Sequence, residues 1–325
     1  MAERLAARLR LGPFGFGAAN LGNLYRAMSD DHAQAVLDAA WNAGIRHFDT
    51  APHYGLGLSE RRLGTFLAGK PRAEYVLSTK VGRLLRPTPE RAGRSDDAHG
   101  FAVPAAFERV WDFSADGVRR SLDESLQRLG LDRVDVLYLH DPEEAGTDLG
   151  SALDSGLSAL AGLRAAGVVE AVGVGSKSIA ALLGAARTGV PDLLMVAGRY
   201  TLLEQPAAAE LLPECRARDI GVVVAGVFNS GLLATDTARP GARYEYGDSP
   251  AEVVEQAERL RKVCARHGVP LPVAALQFPL REPSVRSVVL GGSHPGQVAQ
   301  NAARSRVPVP PALWDDLATE GMIRS

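Results

Sequence analysis

Short, continuously apolar runs alternate with longer amphipathic stretches along this chain. The runs cover residues 14–17, 45–49, 75–80, 134–140, 168–175, 193–198, 221–225 and 285–290. They are rich in β-branched residues or apolar without interruption, as strands buried on both faces are. The stretches between them, residues 31–43, 59–67, 115–129, 150–166, 178–188, 206–218 and 251–267, repeat apolar positions at helical spacing. Ser29, Ser59 and Ser114 stand where N-caps belong, and Gly44, Gly130, Gly167 and Gly268 where helices stop.

Eight strands alternating with helices predict a parallel sheet, and eight is the number that closes a (β/α)8 TIM barrel. Such a barrel takes about 250 residues before insertions, and this chain has 325. The surplus falls at 84–113, after the third strand, at 226–249, after the seventh, and in a tail from Val307 with a helical piece near 313–319. Loops that follow strands lie on the C-terminal face, where barrels keep their sites. No linker-like stretch interrupts the pattern, so 1–325 reads as one domain. The rival fold is a doubly wound nucleotide-binding sheet, suggested by Gly15-Phe16-Gly17-Ala18-Ala19-Asn20. There Asn20 replaces the third glycine, and no acidic residue ends a second strand about twenty residues on. The segment reads better as the end of a first barrel strand, with glycines that let backbones approach.

Composition narrows the partners. The chain is 46% hydrophobic and 23% charged, enough for a sizeable core. A net charge of -2 and a pI near 6.4 argue against nucleic acid. Cys215 and Cys264 are far apart, show no metal spacing and suit a reducing compartment. No apolar run approaches the roughly 20 residues of a membrane helix, and the charged N-terminus lacks the apolar core of a secretory signal. The expectation is a cytoplasmic protein with no metal and a small-molecule substrate.

The chemistry concentrates in Asp49-Thr50-Ala51-Pro52-His53-Tyr54-Gly55, which sets a carboxylate, an imidazole and a phenol at the end of the second run. If Asp49 and Tyr54 line a pocket, Tyr54 can pass a proton to or from a carbonyl or alcohol oxygen. Ser78-Thr79-Lys80 closes the next run and Tyr138-Leu139-His140 the one after. Singly each residue has an ordinary reading: Asp49 as a turn residue, Tyr54 as a pocket wall, Lys80 as a solvated strand end, His140 as a loop cap. In this order, at successive strand ends, they resemble the aldo-keto reductases, and the resemblance covers nearly the whole chain.

The resemblance implies a nicotinamide-dependent oxidoreductase, monomeric as the family usually is, with Asp49, Tyr54, Lys80 and His140 as a catalytic tetrad. A free phenol, with a pKa near 10, is a poor acid or base at neutral pH. A nearby ammonium stabilises its anion. Lys80 would supply that ammonium, Asp49 would hold it, and His140 would orient the substrate oxygen. His53 reads equally as a substrate contact or a packed loop residue.

Cofactor positions carried over by the resemblance are Gly17, Ala18, Asp49, Gly175 and Ser176. To these it adds Phe228, Asn229, Gly231 and Leu232 after the seventh strand, and Gly291, Gly292, Ser293, Gln297 and Asn301 after the eighth. Many relatives hold the nicotinamide carboxamide with Ser-Asn on the fifth strand and glutamine on the sixth. Here those places hold Gly175-Ser176 and Ala197, an atypical pocket. The Gly-Gly-Ser lead into a helix also suits anion binding by free amides. NADP-preferring relatives place lysine near Gly291 and arginine at Gln297. Neither is present, so NAD is expected, with NADP open through Arg304 and Arg306.

The segment Val110-Trp111-Asp112-Phe113-Ser114-Ala115-Asp116-Gly117-Val118-Arg119-Arg120-Ser121 is similar to one in a sugar-dehydrogenase branch of that family. The branch implies oxidation of an L-fucose or D-threo type aldose at C1 to a lactone. The alternative is pyridoxal, or a general aldehyde or ketone. Trp111 and Asp112 join His53 as candidate sugar contacts, and Trp111 reads equally as a loop aromatic packed on the barrel.

Overall fold

The structure, a computed structural model, describes residue 9 and residues 11–237, 243–244 and 247–324. The N-terminal segment read for a secretory signal lies almost wholly outside the described residues, as does part of the loop 226–249.

Eight parallel strands close into a barrel: β1 (Phe14–Gly17), β2 (His47–Asp49), β3 (Val76–Val81), β4 (Val136–His140), β5 (Ala171–Ser176), β6 (Leu193–Ala197), β7 (Gly221–Ala225) and β8 (Val285–Gly291). Each pairs with its sequence neighbours, and β1 closes on β8 with Gly17 opposite Gly291. Side chains alternate along each strand. One set, with Val76, Val136, Tyr138, Leu193, Met195, Val223 and Val289, packs together inside the barrel. The other, with Phe48, Leu77, Leu137, Val172 and Leu194, packs under the surrounding helices. Asp49 lies beside Phe48, Lys80 beside Thr79 and His140 beside Leu139, so all three belong to the inward set at its upper end.

Helix boundaries follow local chemistry. Ser29 and Ser114 accept from the amides of His32 and Gly117 and open the helices Asp30–Asn42 and Ala115–Leu129. Gly130 closes the second in the left-handed region. Ser59 is not a cap: the helix Leu58–Leu67 begins after Gly57, and the buried Ser59 hydroxyl donates to Ala18 O at 2.7 Å. The continuous helix expected over 206–218 is broken into a short 3-10 turn, Pro206–Ala208, and a helix, Leu211–Ala217. Pro213 explains this, since it has no amide for a preceding turn and fits only in the first turn of a helix.

The insertion after β3 is a pair of nested antiparallel ribbons, not an irregular loop. Arg83–Pro87 pairs with Phe107–Trp111, and Ser95–Asp96 with Phe101–Pro104. Phe101, Leu85 and Val103 pack with Leu24, Leu56 and Tyr54, so the insertion leans over the C-terminal mouth of the barrel.

Candidate active site

Strand register sets the polar residues at that mouth. Asp49 lies opposite Ser78, Lys80 opposite Tyr138 and His140 opposite Gly175. Lys80 Nζ donates to Asp49 Oδ2 at 2.5 Å and to Thr50 O at 2.9 Å. Ser78 Oγ donates to the other Asp49 oxygen at 2.7 Å. Tyr54 follows in a tight turn, its amide donating to Ala51 O. Glycine makes that turn possible. A Cβ on Gly22 would lie 2.6 Å from the Tyr54 carbonyl carbon, and Gly55, at φ +62, presses on Gly22 from the other side. The two backbones meet at a distance only glycine permits, and this seats Tyr54 above Lys80, whose Nζ is 4.9 Å from the phenol ring centroid.

The electrostatics follow from burial opposed by charge. Burial alone would drive Lys80 neutral, but Asp49 and Tyr54 more than offset it and hold the ammonium above its usual pKa. Burial pushes the Tyr54 phenol up to about 12, with Lys80 pulling it down against that trend. His140, with its ring centroid 5.9 Å from that of Tyr54, is kept far below the ordinary histidine value by burial and by Arg83 and Lys80. It is therefore neutral, and the 3.3 Å approach of its Nε2 to Asp141 Oδ2 is not an ion pair. Asp141 itself is pushed up to about 7 by burial, opposed by the Arg83 guanidinium that contacts it.

His53 stands where the insertion meets the tetrad. Its ring centroid is 6.0 Å from Tyr54, 5.5 Å from His140 and 5.3 Å from Phe101. Arg109, from the insertion, donates to its Nδ1 at 2.6 Å. A cavity of about 320 Å3 is lined by Arg83, Asp96, Arg109, Trp111 and Glu144 among others.

A buried lysine–carboxylate pair, a phenol above it and a neutral imidazole beside it form an apparatus for moving one proton at an oxygen. The sequence model described as "Aldo/keto reductase family" matches residues 13–318. The chain belongs to that family. It is 56% identical to a D-threo-aldose 1-dehydrogenase from a Pseudomonas species, over 98% of this chain and 96% of that one. It is 40% identical to a pyridoxal 4-dehydrogenase from Microbacterium luteolum, over 97% and 95%. A holo-form aldo-keto reductase from Bacillus halodurans superposes with a TM-score of 0.75 at 25% identity, over 96% of this chain and 92% of that one.

Most of the residues expected at the cofactor follow the C-terminal ends of strands. Gly17 ends β1 and Ala18 starts the 3-10 turn after it. Gly175 and Ser176 end β5. Phe228, Asn229, Gly231 and Leu232 form a turn after β7 in which Asn229, Ser230 and Gly231 all have positive φ. Gly291, Gly292 and Ser293 lead from β8 into the helix Pro295–Arg304. Two of the amides there are engaged within the chain: Gly296 N donates to His294 Nδ1 and Ser293 N to Gln297 Oε1. Pro295 has none to offer. Asn301 is buried, accepts from Arg304 at 3.3 Å, and lines a groove of about 480 Å3 that none of the tetrad touches.

Two sugar-contact expectations change. Asp112 Oδ1 accepts from the Ser114 amide and hydroxyl at 3.0 and 2.6 Å, so its carboxylate is engaged at a helix start. Trp111 carries the Arg83 guanidinium 4.3 Å from its ring centroid, which occupies one face. Arg83, Arg109, Asp96, Asp141 and Glu143 were not singled out by sequence. Their only signal was the density of arginine and acid in the insertion and after Tyr138-Leu139-His140.

Proposed function

We propose that this protein oxidises an aldose of D-threo type at C1 to the lactone, using NAD. The observation that carries the reading is the convergence of Tyr54, Lys80, Asp49 and His140 at one mouth of the barrel, and the relative at 56% identity supports the aldose. A bound nicotinamide supplies the acceptor for the hydride that leaves C1.

The chain's own residues handle the proton. His140, neutral, holds the oxygen on the reacting carbon. Tyr54 takes that oxygen's proton in oxidation and returns it in reduction. Lys80 stabilises the phenolate, and Asp49 keeps the lysine charged and fixed. Positioned acid–base groups of this kind contribute about 10²–10⁴-fold.

The residues fit a nicotinamide cofactor. Ser176 Oγ donates to Glu143 Oε1, while Glu143 Oε2 is buried with no partner in the structure. A carboxamide N–H2 would satisfy that orphaned acceptor, which a buried carboxylate oxygen requires. Glu143 thus offers the carboxamide a polar partner where Gly175 and Ala197 have no polar side chain to give. NAD rather than NADP is supported by the neutral Ser293 and Gln297, which offer no charge-assisted bonds to a 2′-phosphate. Arg304 is turned onto Asn301.

The test is turnover of purified protein with NAD or NADP and L-fucose, D-arabinose, L-galactose or pyridoxal, following reduced nicotinamide. The reading expects aldose oxidation with NAD preferred. Turnover of pyridoxal and of no aldose would remove it, and equal rates with NADP would remove the cofactor choice.

A further inference from the structure

His53 is gripped from the insertion rather than from the barrel. Arg109 Nε donates to its Nδ1 at 2.6 Å and Arg109 Nη2 to its carbonyl oxygen at 3.0 Å. Arg83 Nη1 faces the same Nδ1 at 3.4 Å. Behind the guanidinium, Asp96 accepts from Nη1 at 2.9 Å and from Nη2 at 2.6 Å, and both side chains of this pair are only 6% exposed.

A guanidinium has donors, no acceptor, and does not lose its proton. Nδ1 of His53 must therefore accept, and the single proton of the neutral ring sits on Nε2. Protonation of Nδ1 would aim an N–H at two guanidiniums. Burial, with Arg83, Arg109, His99 and Lys80, holds the ring neutral. The hydrogen bonds that the ring makes among the described residues are both at Nδ1. The ring stands beside both Tyr54 and His140.

We propose that the Asp96–Arg109 pair is a positioning device that locks His53 as an Nε2–H donor, and that this donor binds the hydroxyl next to the reacting carbon of an aldose. This rests on the proposed oxidation of an aldose. Tyr54 and His140 address the oxygen on the reacting carbon, so a ring adjacent to both meets the next oxygen along the sugar. A fixed donor rewards a hydroxyl there, and a substrate lacking it leaves the donor unpaired, which is how such sites reject deoxy analogues.

The experiment has a spectroscopic and a kinetic arm. Heteronuclear NMR of histidine-labelled protein with NAD bound, assigned with His53→Gln, reads the tautomer directly. The expected wild-type form is neutral with the proton on Nε2. Arg109→Met should give a mixture of tautomers, and Arg109→Lys, still a pure donor, should restore the single form. In kinetics, Arg109→Met and Asp96→Asn should raise KM for the aldose about five- to tenfold, as for a lost hydrogen bond, with kcat within about twofold. The 2-deoxy sugar should show no such rise.

A wild-type His53 carrying its proton on Nδ1, or on both nitrogens, overturns the lock. An equal KM rise for the sugar and its 2-deoxy analogue assigns the pair a merely structural role and overturns the contact. If Arg109→Met does not fold, the wild-type tautomer and the wild-type preference for aldose over 2-deoxy sugar still decide. An enzyme that oxidises no aldose overturns the aldose reading and the hydroxyl partner together. Normal aldose oxidation with no discrimination against the 2-deoxy sugar overturns this inference alone.

Discussion

Lys80 Nζ lies 2.5 Å from Asp49 Oδ2, and the two side chains are 2% and 3% exposed. A buried pair of this kind gains little net stability, yet loss of one partner leaves an uncompensated charge, at a cost of about 3–5 kcal/mol. Its position beneath Tyr54 is where the proposed proton transfer needs a charge. Lys80→Met should lower both stability and kcat/KM, the latter by about 10²–10⁴-fold. The double variant Asp49→Asn/Lys80→Met should recover much of the stability, because no charge is stranded, and none of the activity. Urea unfolding beside steady-state kinetics separates the two effects. Recovery of both would show that the lysine has no part in proton transfer.

On the proposed mechanism Tyr54 sets the pH dependence. Its phenol is pushed up to about 12 by burial, with Lys80 opposing. Oxidation needs the phenolate, whose fraction grows about tenfold per pH unit below the pKa. The logarithm of kcat/KM for oxidation should therefore climb with a slope near one from about pH 7 to about pH 10. Reduction needs the phenol and should stay level over the same range. His140, kept neutral by burial and by Arg83 and Lys80, adds no limb near neutrality. A flat oxidation profile would mean that another group takes the proton.

Much of this was legible along the chain because the deciding chemistry is local. The strand Phe14–Gly17 and the helix Ala115–Leu129 have the bounds their patterns predict, the latter through Ser114 and Gly130. Asp49, Lys80 and His140 were readable because they close three successive strands in the order that resembles the aldo-keto reductases. Ser59 misled because its hydroxyl found buried partners in Thr50 and Ala18 and not a helix amide. The insertion was illegible for a different reason. The pairing of Arg83 with Trp111 spans a long loop, and the fork of Arg109 on Asp96 depends on that register. No periodicity within 84–113 encodes which arginine meets His53.

Gly22 meets the Tyr54 turn backbone to backbone, and on the proposed mechanism this constrains the reacting phenol. A Cβ at Gly22 would fall 2.6 Å from the Tyr54 carbonyl carbon and 2.7 Å from its oxygen. Neither can move without shifting the phenol. Misplacement of a reacting group by about 1 Å can cost about 10²-fold. Gly22→Ala should thus reduce kcat on that scale while nicotinamide-cofactor affinity, measured by fluorescence titration, changes little. Unchanged kcat would show that the turn relaxes elsewhere.

His47 makes the fold sensitive to acid. It is fully buried, Nδ1 has no hydrogen-bond partner, and Nε2 meets Ser78 Oγ only at 3.4 Å. Burial lowers its pKa from 6.5 to about 4, with Asp49 opposing and Lys80 assisting. Between those values the unfolded chain binds a proton that the folded chain does not. Stability is therefore full above pH 6.5 and falls as the pH drops toward 4, by about 3 kcal/mol from this group. In His47→Gln that contribution disappears, while His53 and His140 remain in both proteins and cancel in the comparison. Unfolding free energies measured by urea across this window should fall less steeply in the variant, by about 3 kcal/mol in total. Parallel curves would mean that His47 is already protonated in the folded protein or finds a partner for its proton.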